Sequence, residues 1–348
     1  MFNERDNQYK QLVIPHGSSQ TITLKPFEVL IFEGKNIDIN QTVPVKNSSV
    51  NLERLGGYDR YETSSSVVKN GWQKASSAVI ASGEDFADAL SATPLARSKN
   101  APILLTEKNS LRHDSIQILK DLKVSDVTII GGTGVVSANI QKQLTDLGIK
   151  VNRIGGQNRY ETSSKIANII GIENGVVLAS GEGFADALSI ASIAAKNKMP
   201  ILLTTKNSLP NETQSILKKK SISRSYVIGD TGVVSNKVAS ILPNAKRLGG
   251  KDRYETNIKI LNEFKSELDE DTLFVASGNC FADALSGSSF AAKSSSPVVL
   301  INDPISQSSK NFLQNQSIKN LKLLGGRGVI SDTIGNLIQK LIKSGNKK

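Results

Sequence analysis

With a single cysteine, Cys280, the chain can form no intrachain disulfide. Its histidines are His16 and His113, too few to give several modules a zinc site or a Ser-His-Asp triad each. Aromatic residues make up 5% of the chain, and they form no basic–aromatic platform, zinc motif or recognition-helix signature. Composition therefore gives nucleic-acid recognition no support. No apolar run approaches the ~20 residues that a membrane-spanning helix needs. The opening, Met1 to Lys10, is polar and does not read as a signal peptide. The expectation is a chain that stays inside the cell, or a piece of a longer exported protein.

Acidic charge is also in deficit. The formal net charge is +11, while residues 1–50 hold five basic and five acidic residues, so the whole excess lies beyond them. A basic surface of this kind points to a polyanionic partner: nucleic acid, an anionic lipid surface or an anionic wall polymer.

What the chain does have is repetition. Asp59-Arg60-Tyr61-Glu62-Thr63 returns as Asn158-Arg159-Tyr160-Glu161-Thr162 and again as Asp252-Arg253-Tyr254-Glu255-Thr256, at offsets of 99 and 94 residues. Each copy follows an Arg-(Leu/Ile)-Gly-Gly, beginning at Arg54, Arg153 and Arg247. Each precedes an Ala-Ser-Gly-x-x-Phe-Ala-Asp-Ala-Leu-Ser, beginning at Ala81, Ala179 and Ala276. A proline-opened apolar run and a glycine-rich turn (Gly131 to Ser137, Gly229 to Ser235, Gly325 to Ser331) complete each unit. A period of this length is a domain-sized repeat, and it sets the architecture.

Within a unit, continuous Val/Ile/Leu runs alternate with segments of helical spacing. The runs Ala78 to Ala81, Ile103 to Leu105 and Val127 to Ile130 read as strands covered on both faces. Phe86 to Ala96, Ile116 to Leu122 and Ile140 to Leu147 read as helices. The spacing predicts one α/β unit with a parallel sheet per repeat. Upstream, residues 1–35 read as a β-strand remnant of a preceding domain and 36–50 as a linker. Modules follow at 51–149, 150–243 and 244–342, with a basic tail at 343–348.

Three constellations could carry chemistry. Asp59, Asn158 and Asp252 with Glu62, Glu161 and Glu255 three residues on are capping boxes, which accounts for the glutamates. The arginine at the first helical position faces the positive end of the helix dipole, a mildly unfavourable place that calls for an anionic partner. That partner is either internal, most simply Asp88, Asp186 or Asp283, or an external ligand. The tyrosines read as packing residues or as ligand-stacking ones. A Glu62/Asp88 carboxylate pair for glycoside hydrolysis would repeat the same active site in tandem, so no catalytic residue is expected. The glycine-rich turn lacks the Gly-Lys-Ser/Thr ending of a phosphate-binding loop and reads first as a strand-to-helix turn with Ser137, Ser235 or Ser331 as N-cap, and second as an anion nest of backbone amides.

Taken together, the three ordered motifs in three copies resemble the cell wall binding repeat 2 family, found as triplets in clostridial and related Gram-positive surface proteins. The resemblance implies Rossmann-like or Toprim-like modules in a pseudo-threefold arrangement. It implies non-covalent attachment to an anionic, teichoic-acid-like wall polysaccharide, without cofactor or metal, and a cell-surface location. Arg60, Tyr61, Arg159, Tyr160, Arg253 and Tyr254 are the expected polymer contacts, with Asp88, Asp186 and Asp283 as groove framework. Departures occur at Asp230 and Arg327, which stand where other copies have Gly or Thr. Residues 24–32 resemble the last strand of the β-domain that closes amylase-family glycoside hydrolases. That leaves two rivals: the anchor of a secreted hydrolase, or an intracellular nucleotide or nucleic-acid binder. A fused or separate enzyme domain would supply any activity, and neither nucleic acid nor membrane insertion is expected.

Overall fold

A computed structural model describes residues 2–3, 8–9, 50–218 and 222–345. The chain divides into two units, Met1–Ser48 and Ser49–Lys348. In the first, Phe2–Asn3 pairs antiparallel with Gln8–Tyr9. The strands expected between residues 12 and 32, the linker before Val50 and the last residues of the basic tail lie outside the described residues.

The second unit holds three four-stranded parallel sheets, as the uninterrupted apolar runs predict. In spatial order the first sheet is Ile103–Thr106, Ser77–Ser82, Asp126–Ile130, Lys150–Ile154. The second is Ile201–Thr204, Val176–Ser180, Ser225–Ile228, Ala245–Leu248. The third is Val298–Ile301, Thr272–Ser277, Asn320–Leu324, Asn51–Leu55.

The fourth strand of each sheet comes from the start of the next repeat. Lys150–Ile154, which carries Arg153, pairs with Asp126–Ile130 of the first sheet. Ala245–Leu248, which carries Arg247, pairs with Ser225–Ile228 of the second. The third sheet has no following repeat and is completed by Asn51–Leu55, the first strand of the triplet, with Leu323 opposite Arg54. Sheets and sequence repeats are thus one strand out of phase, and the three modules close into a ring.

The helix after each exchanged strand (Arg60–Gly71, Arg159–Ile170, Arg253–Glu263) covers the open edge of its own sheet. Ser64 accepts from the Leu105 amide and donates to the Ile103 carbonyl. Asn257 makes the same pair of bonds with Leu300 and Val298. Edge groups that would otherwise lack partners are thereby satisfied.

The same helices pack against the inner helix of the preceding module, and the inner helices (Ala92–Ser98, Ala185–Lys196, Phe281–Ser294) pack on one another. Their alanines and serines are almost entirely buried, so backbones approach closely around a core shared by all three modules. The first inner helix departs from the expected span: Ala89–Ser91 is a 3₁₀ turn and the α-helix starts only at Ala92. Pro94 stands where the other copies have Ser192 and Ser289, and proline is tolerated only in a helix's first turn.

Candidate functional site

In the first two sheets the connections leave the two middle strands in opposite directions, one toward the inner edge strand and one toward the exchanged strand; the third sheet has the same strand order, with Asn51–Leu55 in the exchanged place. Ligands of open α/β sheets bind in the crevice at such a switch point, beyond the carboxyl ends of the strands. The repeated motifs converge there. The first sheet presents the loop Gly83–Asp88 and the turn Gly131–Ser137, joined by Gly155–Thr162 of the second repeat.

Glycines let these pieces meet. A Cβ on Gly155 would come within 2.6 Å of the Gly131 backbone, and one on Gly249 within 2.4 Å of Gly229. Gly131 itself has φ +107°, a conformation that side chains other than hydrogen rarely adopt. Arg153 locks the exchanged strand by donating to the carbonyls of Gly131 (3.0 Å) and Val136 (2.8 Å). Arg247 donates to Gly229 (2.8 Å), and Arg54 to Gly325 (3.1 Å) while pairing with Asp332 (3.0 Å).

The capping boxes form with one shift. Asp59 Oδ1 accepts from the amides of Tyr61 and Glu62, both at 2.9 Å, Asp252 accepts likewise from Tyr254 and Glu255, and Asn158 Oδ1 accepts from Glu161 alone. The returning glutamates accept not from the cap residue but from the one before it: Tyr58, Gln157 and Lys251. Glu62 and Asp88 also face different grooves, because Asp88 meets the second repeat while Glu62 belongs to the helix that meets Asp283.

The arginines behave alike in all three copies. Arg60, Arg159 and Arg253 donate to the carbonyls of Gly83, Gly181 and Gly278. Each guanidinium also lies over a phenylalanine of the preceding module: Arg60 over Phe281 (5.7 Å), Arg159 over Phe86 (5.8 Å) and Arg253 over Phe184 (5.4 Å). Phe86, Phe184 and Phe281 meet one another with ring centroids 5.6 to 6.2 Å apart.

The aspartates do sit beside the arginines, but across the module boundary. Asp88 feels Arg159, Asp186 feels Arg253, and Asp283 feels Arg60. Among the described residues none of these arginines makes an ion pair within 4.0 Å, so each guanidinium keeps donors to spare. Burial pushes the carboxyls of Asp186 and Asp283 up to about 6, with the facing arginine opposing the shift and Asp230 adding to it at Asp186. Asp88 is raised by the same cause, opposed by a hydrogen bond from Thr162. Each aspartate lies against the first glycine of the turn; a Cβ on Gly325 would come within 2.6 Å of Asp283 Oδ2.

The tyrosine rings pack on glycine. Cβ atoms on Gly83, Gly181 and Gly278 would strike Tyr61, Tyr160 and Tyr254 at 2.5 to 2.8 Å, and Tyr254 is 8% exposed. Burial raises the pKa of all three phenols. Of the expected serine caps, Ser235 and Ser331 accept from Val238 and Ile334, while the Ser137 hydroxyl has no partner.

A feature the motifs do not announce is Arg112, specific to the first module. It lies 2.8 Å from Asp59 and within 4.0 Å of Glu62, Glu107 and Asp114, beside a groove of about 1000 Å³. The second repeat has Pro210 in its place. Among the described residues no group of His, Cys, Asp and Glu could hold a metal ion, and no helix is long and apolar enough to cross a membrane.

Three ring-closed α/β modules with motif-lined grooves at their boundaries define a repeat-built binding module. Residues 54–141, 153–239 and 247–335 each match the family model of cell wall binding domain 2 (CWB2), and the chain belongs to that family. It is 36% identical to the N-acetylmuramoyl-L-alanine amidase LytC of Bacillus subtilis strain 168 over 85% of this chain and 60% of that protein. It is 29% identical to the amidase enhancer of the same organism, over 92% of this chain and 43% of the relative. Among solved structures, Cwp6 from Clostridium difficile superimposes with a TM-score of 0.80 at 31% identity, covering 84% of this chain and 48% of that one. Cwp8 from the same organism gives 0.74 at 30% identity, covering 84% and 52%. The chain thus spans between about two fifths and three fifths of the length of these relatives.

Proposed function

We propose that the triplet anchors a surface protein to the Gram-positive cell wall by holding an anionic wall glycopolymer in the grooves between modules. The observation that carries this reading is the arginine at the start of each bridging helix. It stands at the crevice beyond the carboxyl ends of the strands, fixed by one backbone acceptor and one ring face, with no ion pair within 4.0 Å among the described residues. The net charge of +11 supplies the long-range attraction. Arg60, Arg159 and Arg253 are the contacts in this reading; Tyr61, Tyr160 and Tyr254 shape the walls, and Asp88, Asp186 and Asp283 tune the charge behind them. The activity of a protein anchored in this way would come from a fused or separate enzyme domain, in keeping with relatives named as an amidase and an amidase enhancer.

The test is co-sedimentation of the purified chain with Gram-positive walls before and after mild acid strips the anionic polymer. Binding should be lost on stripping and weakened by salt. Undiminished binding to stripped walls would transfer the site to peptidoglycan and end the anionic-polymer reading.

A further inference from the structure

The three grooves differ in charge although the motifs that frame them do not. In the groove between the second and third modules, about 450 Å³, four carboxylates (Glu182, Asp186, Asp230, Asp252) face Lys251 and Arg253. Between the first and second modules the matching loop positions hold Glu84, Asp85 and Asp88, with Arg159 opposite and Thr133 in the turn. The groove between the third and first modules, about 500 Å³, is different. Two carboxylates, Asp59 and Asp283, face two guanidinium groups, Arg60 and Arg327.

Neither of those carboxylates is turned toward a ligand. Asp59 is committed to the amides of Tyr61 and Glu62 and to Arg112. Asp283 is 3% exposed and packed against Gly325. Asn279 stands where the other grooves have Glu84 and Glu182, and Cys280 where they have Asp85 and Gly183. Among the described residues Arg327 is held by a single exposed pair, with Asp332 at 2.7 Å, which Asp332 shares with Arg54. An exposed pair of this kind is weak and screened by solvent, so Arg327 can exchange it for a phosphate or carboxylate at little cost. At the rim, Tyr58 is 96% exposed, an aromatic face open to a sugar ring.

Resting on the anchoring reading above, we propose that the groove closed by the strand Asn51–Leu55 is the principal anion subsite of the triplet. Arg327, Arg60 and Tyr58 are its contacts, and the other two grooves contribute less to holding anionic groups. Its ligand is a phosphate- or carboxylate-bearing stretch of glycan.

The experiment is a co-sedimentation titration of the full chain and two variants against walls before and after mild-acid stripping, with a thermal melt of each protein. Arg327→Thr, which removes an exposed side chain, should melt like the parent and bind unstripped walls about tenfold more weakly. Transplanting the feature with Asp230→Gly and Thr231→Arg should strengthen binding to unstripped walls and leave stripped walls unaffected. If the parent prefers unstripped walls but Arg327→Thr titrates identically, the subsite assignment is wrong and the anchoring reading stands. If the parent binds both walls equally, or neither, the anchoring reading falls and the subsite with it.

Discussion

The centre of the ring and the mouths of its grooves follow opposite rules. At the centre the three copies are interchangeable: Phe86, Phe184 and Phe281 form one cluster, and each is covered by an arginine of the next module. At the mouths they diverge, with Tyr58, Gln157 and Lys251 at one position and Arg327, Thr133 and Thr231 at another. A residue that must serve in a threefold contact is constrained by both neighbours at once, whereas a rim residue answers only to solvent and ligand. Repetition here marks assembly, and in the proposed anchoring role departure from repetition marks discrimination.

The largest expected effect tests the symmetric half of that contrast. Phe86→Ala removes two ring pairs and the platform under Arg159, and should cost about 3 kcal/mol of unfolding free energy. Phe184→Ala and Phe281→Ala should cost nearly the same, and any double variant less than the sum of its singles, because the pairs are shared. Urea denaturation of the three single variants would break the comparison if one phenylalanine mattered far more than the others.

A smaller effect is carried by the aspartates behind the arginines. The carboxyls of Asp186 and Asp283 titrate at about 6 in the fold because burial disfavours their charged form. A folded pKa above the unfolded value of about 3.9 means that the folded state holds its proton more tightly. The stability this lends is full below about pH 4 and is lost as pH rises through 6, on the order of 2–3 kcal/mol for the well-buried Asp283. Thermal melts from pH 4.5 to 7 should show that decline, and Asp283→Asn should flatten its share of it. Protonation also removes negative charge behind Arg60 and Arg253, so wall binding should be tighter at pH 5 than at pH 7. Binding that weakens on acidification within that window would contradict the electrostatic picture.

Much of the architecture was legible because parallel strands buried on both faces must be continuous apolar runs, and three copies of one pattern reinforce each other. The exchange of strands was not legible. A repeat has no marked beginning, so nothing in Arg153 or Arg247 says whether their strand belongs to the sheet before or the sheet after. The arginine's acceptor was hidden for a related reason: Gly83, Gly181 and Gly278 bind it through backbone carbonyls, which every residue possesses. The sequence left the arginine's anionic partner open between an aspartate of the motif and an external ligand, and it could not say which repeat's aspartate would face which arginine; in the fold each arginine faces the aspartate of the preceding module's loop. Arg112 was missed altogether, since its carboxylates come from widely separated parts of the first repeat and gather only in three dimensions.

The smallest effect sharpens the contrast at a single motif position. Ser137, Ser235 and Ser331 occupy the same place after the glycine turn, yet only Ser235 and Ser331 accept from an amide of the helix they precede, at 3.3 and 3.2 Å. The Ser137 hydroxyl is buried without a partner among the described residues, and the turn there is held instead by Arg153, which donates to the Val136 and Ser137 carbonyls. A side-chain cap is worth roughly 1 kcal/mol, whereas removing an unpaired buried hydroxyl removes a desolvated group and no bond. Ser235→Ala should therefore lower the denaturation midpoint measurably, and Ser137→Ala should leave it unchanged or raise it slightly. Equal losses at the two positions would mean that Ser137 caps its helix in solution and that the first turn is as symmetric as the phenylalanine cluster.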